Sequence, residues 1–120
     1  MPRIAQTLCV AAVPLLLAGC ATSGSEQDGR VTEQWQGRWN GPEGTYLDIT
    51  GTPADYRLTI ADLDGPRRFV GRAQGGQIVF VRDGVLERIR AGDGEATGMK
   101  WLLDKQNCLT VRSGEGYCRD

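Results

Sequence analysis

The chain has 120 residues, with 14 basic and 15 acidic side chains, 17 glycines, four cysteines and no histidine. A net charge of −1 gives no reason to expect nucleic acid as a partner, and the length suits one small domain rather than two. Without histidine the commonest general base, the usual serine and cysteine activation schemes and most zinc sites are missing, so the chain is read as a non-enzyme with no cofactor or metal.

In chain order, Arg3 and the amino terminus supply positive charge, and Leu8 to Leu17 form an apolar run ending in small residues, the pattern of a secretory signal peptide. Ten apolar positions are too few for a permanent membrane span. Leu17-Ala18-Gly19-Cys20 resembles the bacterial lipoprotein signature. That resemblance implies removal of residues 1–19, acylation of Cys20, and attachment to a membrane through lipid rather than through a spanning segment. By the sorting rules of that family, Ala21 implies an outer-membrane protein facing the periplasm. The alternative is an ordinary secreted protein in which Cys20 merely lies near the cleavage site.

Residues 20–32 are Thr, Ser, Gly, Gln and charged residues with one larger apolar side chain, Val31, and are read as a solvated tether of roughly 20 Å reach. Residues 33–120 are read as one domain. Within it, apolar residues recur with period two and turn signals interrupt them every eight to twelve residues, which predicts a small all-β protein. Trp35, Gly37 and Trp39 open the first strand. Leu47 and Ile49 then alternate with Tyr46, Asp48 and Thr50, and Tyr56, Leu58 and Ile60 with Arg57 and Thr59. A fourth strand carries Phe69 and Val70, and a fifth runs from Ile78 to Arg82. Asp83-Gly84 is the strongest hairpin signal in the chain and leads to a sixth strand, Val85 to Ala91. Thr97 to Leu103 reads as a seventh strand with Met99, Trp101 and Leu103 on one face, and Cys108 to Ser113 as an eighth.

Eight short strands with tight connections predict an antiparallel up-and-down meander closed into a barrel. With Cys9 in the leader and Cys20 assigned to lipid, Cys108 and Cys118 remain to pair in an oxidising compartment, for about 2.5–3 kcal/mol on the chain-entropy argument. A redox or metal role for this pair has neither Cys-x-x-Cys spacing nor a histidine behind it. Gly37-Arg38-Trp39-Asn40, with Gly44-Thr45 and Leu47-Asp48-Ile49, resembles the opening of avidin-type and lipocalin-type barrels. Met99-Lys100-Trp101-Leu102-Leu103 is similar to a late avidin strand whose tryptophan lines the biotin pocket. That family's polar ligand contacts have no counterparts here, so biotin does not carry over.

An eight-stranded barrel is either filled or holds one small ligand. For an open barrel, Trp101, Met99, Phe80 and Tyr117 are the candidate ligand-binding residues, suited to an apolar small molecule. Trp35 and Trp39 are assigned to the core. Asp62-Leu63-Asp64-Gly65 is a hairpin turn rather than a calcium loop, since no register supplies the closing glutamate. Glu87 with Glu95, or Asp93 with Glu95, is the only carboxylate pairing offered for acid–base chemistry. Arg57, Arg68, Arg88 and Arg90 read as a solvated sheet face balanced by Asp and Glu. Together these features predict an envelope lipoprotein whose barrel is a binding or structural module, its partner an apolar small molecule or an envelope protein. The alternative is an inhibitor of a cell-wall hydrolase such as lysozyme, presenting Gly114-Glu115-Gly116-Tyr117 as its loop.

Overall fold

The computed structural model describes residues 24–120. Eight antiparallel strands follow one another around a closed barrel: β1 (Gly37–Asn40), β2 (Tyr46–Thr52), β3 (Asp55–Asp62), β4 (Gly65–Gln74), β5 (Gln77–Arg82), β6 (Val85–Gly92), β7 (Cys108–Arg112) and β8 (Glu115–Cys118). The expected all-β meander and its C-terminal disulfide, Cys108–Cys118, are both present.

Alternation decides what lies inside. Leu47, Ile49, Tyr56, Leu58, Ile60, Ile78, Phe80, Ile89, Leu109 and Val111 point inward and are almost wholly buried, with Trp35, Trp39 and Tyr117 completing the cluster. Trp39 also satisfies its indole, which donates to the carbonyl of Trp35 at 2.7 Å. A tryptophan buried with its N–H paired is held in one rotamer, and with the twelve other buried side chains of the cluster it occupies the barrel interior. The β5–β6 turn is the predicted two-residue hairpin, Arg82 pairing Val85. Asp83 and Gly84 both take positive φ there, as a turn matching the strand twist requires.

Two expectations are corrected. The segment read as a tether, residues 20–32, contains a helix, α1 (Gly24–Glu33), which packs against β4 and β5. Its buried positions include Gly29 and Thr32, while Val31 is exposed, so no apolar period announces the helix in sequence. A Cβ at Gly29 would come within 3.0 Å of the Pro53 ring, so the missing side chain is what lets α1 lie close.

The predicted seventh strand, Thr97 to Leu103, is instead two 3-10 turns, Glu95–Thr97 and Lys100–Leu102. Gly98, with φ of 74°, breaks the extended run between them. Met99 and Leu102, three apart, pack on the disulfide, whereas Trp101 and Leu103 face outward. The true partner of β7 is the tail, whose residues Glu115–Cys118 become β8, and Asn40 opposite Cys118 closes the barrel.

Candidate functional site

The two ends of the barrel differ. At one end lie the β2–β3 and β4–β5 turns and α1, with Gly29 against Pro53 and the Thr32 and Tyr56 hydroxyls 2.8 Å apart. At the other end, the mouth, the segments around residues 41–45, 62–64, 82–84 and 112–116 rim a depression of about 460 Å³. Its lining includes Arg67, Arg82, Arg112, Asp62, Asp83, Glu115, Met99 and Tyr117.

Ion pairs organise the mouth. Glu87 lies on the inward face of β6, two residues from Ile89, and only 5% of its side chain is exposed. Arg82, inward beyond Phe80, donates to Glu87 at 2.9 Å and to Glu115 at 2.7 Å, and Arg112 pairs with Glu87 from β7. Buried carboxylates survive in such a place only because guanidinium forks satisfy them. Contact with Glu115 holds the Arg82 guanidinium more firmly protonated than usual. Tyr117 donates its hydroxyl to Glu115 at 3.2 Å, and burial, followed by the Glu115 charge, pushes that phenol well above its ordinary range. On the outer rim, Arg67 and Asp83 form a two-point pair at 2.7 and 3.2 Å, which lowers the Asp83 carboxyl.

The four candidate ligand residues do not form one site. Tyr117 and Met99 do line the mouth, Met99 through its sulfur, which accepts the Gly116 N–H at 3.1 Å. Phe80 is core, 5.2 Å from the Phe69 ring and beneath the Arg82 guanidinium. Trp101 is 74% exposed on the outside of the barrel, so it walls no interior pocket, and the likeness of its segment to an avidin strand does not extend to its conformation.

The proposed carboxylate pairs are likewise separated in role. Glu87 is held between Arg82 and Arg112, Glu95 is exposed on a 3-10 turn, and Asp93 accepts the Ala96 N–H at 2.9 Å. Asp62 accepts the Asp64 N–H at 2.8 Å within the turn expected for it. Gly114-Glu115-Gly116-Tyr117 does not protrude: it is a tight hairpin in which Gly116 and Tyr117 are buried.

Sequence reasoning passed over Arg67, Arg82 and Arg112, and named Glu115 only within the candidate inhibitor loop. The signal that reaches the mouth is phase: Glu87 shares its face with Ile89, and Arg82 shares its face with Ile78 and Phe80. Compared with family models, with curated proteins and with solved structures, the chain matches none.

Proposed function

We propose that this chain is a cell-envelope lipoprotein, held in the outer membrane through acylated Cys20 and facing the periplasm, whose barrel is a binding module that works at its mouth. Cys20 lies outside the described residues, and only Ala21, Thr22 and Ser23 separate it from α1. Because α1 lies near the barrel end opposite the mouth, an anchor at Cys20 attaches away from the mouth and leaves it open to the periplasm.

One observation carries the binding part. The core cluster occupies the barrel interior, and the concavity at its open end is bounded by charged pairs. A surface of this kind favours a polar, charged segment of an envelope protein over an apolar small molecule, since exposed pairs such as Arg67–Asp83 can be exchanged for pairs with a partner.

The anchor is tested by fractionating cells that carry Cys20→Ser. Release into the soluble periplasmic fraction is expected, and retention in the membrane would overturn it. For the mouth, a photo-crosslinking residue at Leu63, 71% exposed on the rim, should give a discrete adduct in the envelope fraction. Combined reversal of Glu43 and Asp62 to lysine should abolish it; an adduct indifferent to those reversals argues against a role for the mouth.

A further inference from the structure

The outer face of β3–β6 separates charge in a way that overall composition conceals. Alternation places Arg57, Arg68, Arg72, Arg88 and Arg90 on this face, against a single strand carboxylate, Asp55. Asp55 pairs with Arg57 at 3.1 Å. Among the described residues, Arg68, Arg72, Arg88 and Arg90 have no carboxylate partner, so the expectation of a face balanced by Asp and Glu is corrected. Like charges gathered on one sheet face repel one another, and five of the acidic side chains that offset them in the overall composition sit at the mouth.

An apolar row crosses the middle of this basic face. Val70, Val81 and Leu86 stand side by side on β4, β5 and β6, since Gly71 pairs Phe80 and Val81 pairs Leu86, and they are 59%, 60% and 50% exposed. Arg72 and Arg88 flank the adjoining Val79 in register, and a depression of about 420 Å³ is lined by Arg57 and Arg68 at the other edge of the row. Guanidinium forks match phosphate oxygens, and branched apolar side chains between them suit the acyl boundary beneath a headgroup layer.

We infer that the β3–β6 face rests on a membrane surface bearing anionic phosphate headgroups, with the arginines on the phosphates and the Val70–Val81–Leu86 row at the acyl boundary. The path of the chain agrees with this. Helix α1 packs against β4 and β5, and the four steps from Cys20 to Gly24 span at most about 14 Å. Where the lipoprotein reading holds, the anchor therefore lies within reach of the strands that carry this face. The charge and the apolar row stand without that reading, and the test does not use Cys20.

The barrel, α1, the core and the disulfide all lie within residues 24–120, so that fragment is the material for the test. Co-sedimentation with phosphatidylglycerol–phosphatidylethanolamine vesicles should exceed that with phosphatidylcholine vesicles and weaken as salt rises. Each arginine neutralised should lower partitioning about fivefold, so that Arg68→Gln/Arg72→Gln/Arg88→Gln falls by about a hundredfold. Lys105→Gln, outside the face, should change it less than about twofold. Val81→Ser/Leu86→Ser should lower binding at high salt, where the apolar contribution persists. These positions are exposed, so the variants keep the wild-type circular dichroism spectrum. Equal binding to both vesicle types, or a triple variant that binds like wild type, overturns the inference. Binding to polyglutamate with no binding to anionic vesicles overturns it in favour of an acidic protein partner. Soluble Cys20→Ser protein alongside unchanged vesicle binding by the fragment separates loss of the anchor from loss of the face.

Discussion

The hydroxyls of Thr32 and Tyr56 meet at 2.8 Å with both residues wholly buried, and this bond ties α1 to one end of the barrel. Thr32→Val keeps the shape of the side chain and removes the partner of a buried phenol. Leaving a buried donor unsatisfied costs about 1–3 kcal/mol, so the urea midpoint should drop accordingly. Hydrogen exchange should accelerate first in α1. A midpoint unchanged from wild type would mean that the helix is not held there.

Arg82 is the hinge of the mouth network, contacting two carboxylates with 12% of its side chain exposed. Arg82→Leu leaves the buried Glu87 with Arg112 alone and takes the guanidinium from Glu115, and should cost about 3 kcal/mol in denaturant unfolding. Adding Glu87→Leu removes the buried carboxylate that has lost one of its two guanidinium partners, and the double variant should lose less than the sum of the two single ones. A double variant that loses the sum of both single effects would show that the pair is not coupled.

Burial raises the Tyr117 and Tyr56 phenols above their ordinary range. A phenol that ionises later in the folded than in the unfolded chain supports folding fully below about pH 10, and that support is lost as the pH rises further. Stability should therefore decline above about pH 10, by up to about 1.4 kcal/mol per pH unit for each tyrosine. Tyr117→Phe should make that alkaline slope shallower without abolishing it, because Tyr56 remains. Unfolding midpoints measured between pH 9 and 11 give the answer directly, and identical slopes for the two proteins would exclude Tyr117 as a contributor.

The tryptophans divide sharply by position. Trp39, 2% exposed, should cost about 3–5 kcal/mol when changed to alanine, whereas Trp101→Ala should cost less than about 0.5 kcal/mol. Acrylamide should quench only part of the native fluorescence, and Trp101→Ala should remove that accessible part. If Trp101→Ala barely folds, the outward placement of this side chain is wrong.

Much of the barrel was legible along the chain because period-two burial is a local property. Leu47 with Ile49, Leu58 with Ile60, and Asp83-Gly84 each state their face or turn without reference to distant residues. The same periodicity misled at Met99, Trp101 and Leu103, since three apolar residues at every second position describe a strand equally well as a pair of 3-10 turns buried at every third. What decided between them was Gly98 and the disulfide surface waiting for Met99 and Leu102. Helix α1 was hidden for a different reason: it docks through Gly29 and Thr32, and neither a missing side chain nor a hydroxyl leaves an apolar trace. By itself, then, the sequence determined the all-β class, the meander order and most of the inward-facing set. Only the tertiary structure decided which turns share an end, that Arg82, Glu87, Arg112 and Glu115 converge at the mouth, and that unpaired arginines gather on one face, because strand register and barrel closure set distances between residues far apart in the chain.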